Sequence, residues 1–308
     1  MPGTVVPGME APAPARMAVA GEVSLAVAAK ASAENFPVAL RILPGALRRH
    51  LTAYYGFARL ADDLGDEPLP GVTGHVSAAG EREARLRLLD GLERDVARIY
   101  DGQPPELPAI AALGETVRAC GIPFRPLADL IQANRQDQLV SRYDTYADLV
   151  RYCELSANPV GQVVLYIVGA ATPERIAASD QVCTALQLVE HWQDVAEDLR
   201  NGRVYLPQED LKAHGVTEDD LARATASPGV LRLMAFETGR ATRLLDEGAP
   251  LAGTLDGFAR VAICGYIAGG RAALRAIREA GYDVLKATPR PGKAATLAGL
   301  ASCYVRGR

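Results

Sequence analysis

Prolines cut this chain into pieces of helical length, and that punctuation constrains its fold more than any other sequence feature. Proline lacks an N–H and clashes with the preceding turn, so helices seldom run through it. Beyond residue 14 it stands at positions 37, 44, 68, 70, 104, 105, 108, 123, 126, 159, 173, 207, 228, 250, 289 and 291. In Leu47–Leu64, the residues Leu47, Leu51, Tyr54, Tyr55, Ala58 and Ala61 recur at spacings of three and four, as one apolar helix face requires. Further helices are predicted over Glu81–Tyr100, Pro108–Cys120, Leu127–Val140, Thr145–Ala157, Val160–Gly169, Glu174–Arg200, Leu231–Glu247 and Leu255–Ala280. Thr172-Pro173-Glu174 and Ser227-Pro228 read as N-caps followed by a first-turn proline, and Gly281 fits a helix end. Sustained strand-type alternation and a fixed-period repeat are both absent. An all-α, compact helical bundle is therefore predicted, not a solenoid.

Composition agrees. Of the 308 residues 49% are hydrophobic, mainly the helix formers Ala and Leu together with Val, and only 6% are aromatic. The net charge of −4 gives no general attraction to nucleic acid, so none is expected as a partner. Five scattered cysteines, without CxxC or Cys/His spacing, support neither a disulfide framework nor a zinc site and read as reduced thiols of a cytoplasmic protein. No apolar run reaches the roughly 20 residues that span a bilayer. The proline-bearing residues 1–22 are expected to form a flexible extension, not a secretory signal. Residues 23–290 are expected to form one domain and 291–308 a basic tail. Beyond Asp283 the only charges are Lys286, Arg290, Lys293, Arg306 and Arg308.

Chemistry concentrates in two acidic stretches. Asp62 and Asp66, in Arg59-Leu60-Ala61-Asp62-Asp63-Leu64-Gly65-Asp66-Glu67, are four apart and share a helix face. Their repulsion costs roughly 0.2–0.5 kcal/mol in an isolated helix, a sign that a bridging divalent cation reverses. A solvated acidic helix end is the other reading, although acids at a helix C-terminus oppose its dipole. Asp194 and Asp198 repeat the spacing, and Glu190 extends the same face by a turn of a long Leu-rich helix, with Gln187 close by. His191 and Trp192, beside them, suit either core or pocket, and a lone histidine is more often a packing residue. Two DxxxD pairs on separate helices suggest Mg²⁺ holding a diphosphate as a C–O bond breaks, inside an apolar helical cavity that shields a carbocation from water. The alternating charges of Glu81–Asp95 read as a solvated face. Asp137, on a polar helix turn, suits the site or the surface equally.

At this point the residues resemble the squalene/phytoene synthases. The first aspartate motif of that family, near an arginine, is similar to Tyr54-Tyr55-Gly56-Phe57-Ala58-Arg59 followed by Asp62-Asp63 and Asp66-Glu67. Its second motif with a downstream Arg-x-Tyr-Leu-Pro is similar to Asp194, Asp198 and Arg203-Val204-Tyr205-Leu206-Pro207. The resemblance covers roughly residues 25–290. It implies a single-domain, all-α isoprenoid synthase bundle with a central cavity, Mg²⁺ and a prenyl diphosphate substrate. Glu34-Asn35-Phe36-Pro37-Val38-Ala39 and Tyr152-Cys153-Glu154-Leu155-Ser156-Ala157-Asn158-Pro159-Val160-Gly161 resemble the bacterial branch that forms hydroxysqualene for hopanoid-type squalene synthesis. Two departures stand out: family members commonly carry Asn where Glu190 stands and Arg where Gln193 stands.

By resemblance, Asp62, Asp66, Glu190, Asp194 and Asp198 would hold Mg²⁺. Arg59, Gln187, Arg203 and Tyr266 would bind substrate, and Tyr152, Asn158 and Tyr205 would serve catalysis from the cavity wall. Asn158 precedes Pro159, so a kink there is predicted. Arg290 and Lys293 resemble weaker family positions near phosphate, with a solvated basic tail as the alternative. The implied reaction takes presqualene diphosphate to hydroxysqualene by water capture, without NAD(P)H. The Gly265, Gly269, Gly270 spacing reads as helix packing, not as a dinucleotide motif. Rivals are a head-to-head prenyl transferase making presqualene diphosphate or phytoene, and a non-catalytic helical scaffold. Hand-over of product to other squalene-pathway enzymes and at most peripheral membrane contact are expected.

Overall fold

The computed structural model describes residues 44–66 and 77–308. The expected extension over 1–22, the Glu34–Ala39 stretch and Glu67 of the first acidic motif lie outside them. Among the described residues every regular element is a helix, and the one extended pairing is an isolated parallel bridge between Arg142 and Val204. No described helix is long and apolar enough to cross a membrane. The chain falls into two compact units, divided between Ala119 and Cys120.

The first unit holds α1 (Gly45–Asp66), α2 (Ala78–Tyr100) and α3 (Ala111–Cys120). α1 buries Tyr54, Phe57, Leu60, Ala61 and Leu64. The predicted stripe is thus turned: Leu47, Leu51, Tyr55 and Ala58 are only half-buried, because Phe57 and Leu60, outside that stripe, are fully enclosed. Ser77 caps α2 by accepting from the Gly80 N–H. Glu81–Asp95 is not wholly a solvated face. Arg85 and Asp95 lie on the buried stripe with Leu89, Leu92 and Val96, and both are satisfied there. Arg85 donates to the Leu64 carbonyl at 3.3 Å, and Asp95 accepts the Glu106 and Leu107 N–H groups at 2.5 and 2.7 Å. Buried charge survives only with such partners.

The second unit is built around α7 (Pro173–Gln193), packed by α5 (Tyr146–Ser156), α6 (Asn158–Ile167), α11 (Pro228–Gly248) and α12 (Gly257–Glu279). Thr172 caps α7 through the Arg175 N–H and Ser227 caps α11 through the Val230 N–H, both with proline in the first turn. α11 crosses α7 closely at Gly248, where a Cβ would lie 2.7 Å from both the Ala178 carbonyl oxygen and Val182 Cγ2. On α12 a Cβ at Gly270 would lie 2.7 Å from Leu186 Cδ2, which makes this glycine a packing residue. α5 and α6 are separated at Ala157 (φ −107°, ψ −46°), one residue before the predicted kink, because Pro159 has no N–H to continue the ladder.

α4 (Phe124–Asp137) precedes α5. α8 (Val195–Arg200), α9 (Gln208–His214) and α10 (Glu218–Leu221) follow α7. Asp210 of α9 and the fully buried Glu237 of α11 both bind Arg240, at 2.5 and 3.2 Å. The Arg240 guanidinium also lies 4.2 Å above the Tyr146 ring and 4.3 Å above that of Phe236. Residues expected as a basic tail instead form α13 (Lys293–Arg306) along α12. Two small residues permit this: a Cβ at Gly299 would stand only 3.2 Å from that of Ala268. Cys303 is buried there, its thiol against that of Cys264.

Candidate active site

In the first unit, Asp62 and Asp66 stand exposed on the last turn of α1, while Asp63 is buried between them. Arg59, expected to meet phosphate, is ion-paired with Asp63, Nε to Oδ1 at 3.0 Å. That i,i+4 spacing was the available signal for the pair.

In the second unit the site forms where α7 ends. The single helix expected over 174–200 is two: α7 stops at Gln193, Asp194 sits at φ −107°, ψ 16°, and α8 begins at Val195. Two acids bear on the break. Kept on one long helix, Glu197 and Asp198 would stand in its last turn, at the negative end of its dipole. Restarting the helix places Glu197 and Asp198 in the first turn of α8, where the dipole favours them. The Asp194 carbonyl accepts the Glu197 and Asp198 N–H groups at 2.9 and 2.8 Å, so Asp194 and Asp198 still share a turn.

Inward from these acids lies a hydrogen-bonded aromatic cluster. The His191 ring stacks on Tyr205, centroids 3.6 Å apart and planes 11° apart. Gln187 Nε2 lies 3.2 Å from His191 Nε2, and His191 Nδ1 lies 4.0 Å from Asp198 Oδ2. An amide nitrogen only donates, so His191 Nε2 accepts and Nδ1 carries the proton, facing Asp198. Arg203 donates to the Tyr205 hydroxyl at 3.1 Å and pairs with Asp137 at 3.3 Å. The Tyr152 hydroxyl donates to the other Asp137 oxygen at 3.0 Å. Tyr143, Tyr152 and Tyr205 group with centroids 5.4 to 5.9 Å apart. His191, Asp198 and Tyr205 border a cavity of about 10 Å³, room for about one water.

Electrostatics separate these groups into two kinds. Burial, then the positive charge of Arg203, lowers His191 to about 3, so its imidazole is neutral at neutral pH and is no ionic partner of Asp198. Burial, then Asp194, raises Asp198 to about 7; Arg203 opposes the rise, and Glu197 and Glu190 add to it. Glu190 and Asp194 are also raised, chiefly by burial, with Arg290 opposing the rise at Asp194. Burial and the charge of Asp137 keep the phenols of Tyr143, Tyr152 and Tyr205 protonated.

Of the residues singled out in the sequence, Gln187, Glu190, Asp194, Asp198, Tyr152, Arg203 and Tyr205 thus belong to one neighbourhood. Asn158 has a structural role, because its side-chain oxygen accepts from Thr184 at 2.9 Å and ties α6 to α7. Tyr266, on α12, is half exposed beside Cys183, about two turns of α7 before His191. Gln193 donates to the Pro289 carbonyl, and the neighbouring Arg290 acts on Asp194 instead of trailing in a solvated tail. Tyr143 lies outside the residues singled out in the sequence, and His191, open there between core and pocket, packs and hydrogen-bonds at the centre of the cluster. Neither carries a spacing signal, since their partners come from other elements.

A model of the squalene/phytoene synthases matches residues 29–295. The chain belongs to the squalene/phytoene synthase family. It is 36% identical over 227 residues to a hydroxysqualene synthase of Rhodopseudomonas palustris, covering 73% of this chain and 72% of that one. It is 30% identical over 281 residues to a chloroplastic phytoene synthase of Daucus carota, covering 89% and 67%. The crystal structure of a squalene synthase from Alicyclobacillus acidocaldarius is similar at 39% identity and a TM-score of 0.74, covering 87% of this chain and 97% of that one. This squalene/phytoene synthase therefore has the all-α isoprenoid synthase fold, and the family supports a part in head-to-head prenyl diphosphate condensation.

The donor chemistry at the end of α7 fits a hard cation. Glu190, Asp194 and Asp198 offer only carboxylate oxygens, and desolvation, with their mutual repulsion added, opposes ionisation until positive charge arrives. Among the described residues no three His, Cys, Asp or Glu side chains stand gathered as a metal cage. Mg²⁺ does not demand one: it keeps several waters and takes one or two carboxylates plus substrate phosphate oxygens.

Proposed function

We propose that this protein converts presqualene diphosphate to hydroxysqualene with release of diphosphate, as a Mg²⁺-dependent enzyme of squalene and hopanoid synthesis. The observation carrying this reading is the end of α7, where Asp198, held short of full ionisation at neutral pH, adjoins a neutral aromatic cluster. Similarity to a hydroxysqualene synthase at 36% identity supports the choice of product. Asp62, Asp66, Glu190, Asp194 and Asp198 are the proposed ligands of Mg²⁺, which when bound stabilises the negative charge of the departing diphosphate.

The rest falls to the chain itself. Arg59, Arg203 and Gln187 orient the diphosphate end. Neutral Tyr152 and Tyr205, with His191 stacked behind, present aromatic faces that favour a cation and displace water from it. Water then adds to the rearranged cation, forming a C–O bond and releasing a proton. No hydride is consumed, so the proposed reaction needs no NAD(P)H. Product would pass to a later enzyme of the squalene pathway.

Similarity to a phytoene synthase over 281 residues favours a second reading, condensation of two allylic diphosphates to presqualene diphosphate or phytoene. One assay separates them. Purified protein with Mg²⁺ and no NADPH is given presqualene, farnesyl or geranylgeranyl diphosphate, and lipids are identified by mass spectrometry. Hydroxysqualene from the first substrate alone is expected. Presqualene diphosphate from the second, or phytoene from the third, would replace the lead reading with the alternative. Asp62→Asn or Asp194→Asn is expected to lower turnover by about a hundredfold or more with circular dichroism unchanged, and an active variant would remove that residue from the ligand set.

A further inference from the structure

α12 and α13 leave an apolar groove of about 250 Å³ between them, lined by Val261, Leu297, Leu300, Ala301 and Tyr304. Leu297 is 65% exposed, and Val305, one turn beyond Ala301, is 82% exposed. Isolated exposed apolar residues are ordinary, but a contiguous strip marks a contact surface. α13 turns its buried side, Gly299, Leu300 and Cys303, onto α12 and keeps this strip outward.

The charge around the strip says what it meets. Residues 257–308 contain nine Lys or Arg against two acids, although Arg271 pairs with Asp246 and Arg290 stands by Asp194, so the cations placed at the strip are Arg260, Arg306 and Arg308. Arg306 and Arg308 are exposed at the end of α13. Arg260 lies 4.9 Å above the Tyr304 ring and donates to the Tyr304 carbonyl, so a fixed cation stands at the rim of the groove. A second copy is a poor occupant, because a two-fold contact would set these arginines against their own equivalents. An anionic lipid surface meets both demands at once. Apolar side chains enter the headgroup boundary while flanking cations meet acidic headgroups. With 14 residues, α13 is too short to span and suits lying in the interface plane.

We propose that the α12–α13 face is a peripheral docking surface for anionic bilayers, with Leu297, Tyr304 and Val305 entering the interface and Arg260, Arg306 and Arg308 contacting acidic headgroups.

The test is co-sedimentation of the full chain with vesicles of phosphatidylcholine alone, or of phosphatidylcholine and phosphatidylglycerol in equal parts. Binding to the anionic vesicles only, weakened by salt, is expected. Arg306→Gln with Arg308→Gln should weaken it about thirtyfold, at about fivefold per charge. Leu297→Glu with Val305→Glu, both at exposed positions, should abolish it. Leu139→Glu, at another exposed leucine, should not. Wild-type protein that ignores anionic vesicles, or binding untouched by both double variants, would overturn the proposal. So would a dimer in sedimentation equilibrium that Leu297→Glu dissolves, since a second copy would then own this face.

Discussion

Glu237 shows how far one buried residue departs from its sequence-derived charge. It is fully buried, and burial raises it to about 8, with Arg240 opposing and Asp210 adding to the rise. The folded state therefore keeps a proton that the unfolded chain, titrating near 4.5, gives up. Its contribution to stability is complete below pH 4.5 and is lost as pH climbs through about 8. The unfolding free energy of Glu237→Gln relative to wild type, taken from urea titrations, should rise across that window by an amount on the order of a few kcal/mol. A difference that stays constant with pH would show Glu237 ionised in the native protein. His191 obeys the opposite sign. Its folded value near 3 favours the native state above pH 6.5 and withdraws that support as acid is added. Residues of this kind were only half legible in sequence. Asp194 and Asp198 announced themselves because helical spacing is written along the chain. The stacking of His191 on Tyr205, and the pairing of Asp137 with Arg203 and Tyr152, join residues from separate elements, and only packing brings those together.

At the scale of elements, proline and capping residues placed most helices, because Thr172 and Ser227 act locally on the first turn that follows them. Two features escaped that reasoning. The break at Asp194 contains neither proline nor glycine; it moves Glu197 and Asp198 from the last turn of one helix to the first turn of the next. α13 was hidden because its Ala-rich sequence shows little apolar contrast, while Pro289, Pro291 and Gly292 just before it read as a tail. Glycine spacing said little about which glycines matter. Gly248→Ala should cost about 1–3 kcal/mol by forcing α11 away from α7. Gly239→Ala, inside the same helix, would place its Cβ no closer than 3.8 Å to the flexible end of Arg243 and should gain up to about 1 kcal/mol. Thermal melts of the two variants should move in opposite directions, and equal shifts would show that the α7–α11 crossing is not close-packed there.

For the whole molecule, a net charge of −4 conceals a positive segment over 257–308 and acids at the end of α7 that resist ionisation. Folding thus rewrites the formal charge. In the metal-free native protein near pH 5.7, Glu237 and Asp198 each retain a proton that the unfolded chain has shed, whereas His191 lacks one that the unfolded chain mostly holds. The balance is about one extra positive charge. Native isoelectric focusing in the presence of a chelator should therefore place the band above the sequence value of 5.7, and focusing in urea should return it there. Identical positions in both gels would mean that at least one of the two carboxyls is ionised in the fold. A raised native band would make the cluster that joins α9 to α11 through Arg240 visible without a crystal, as a displacement in a pH gradient that vanishes on unfolding.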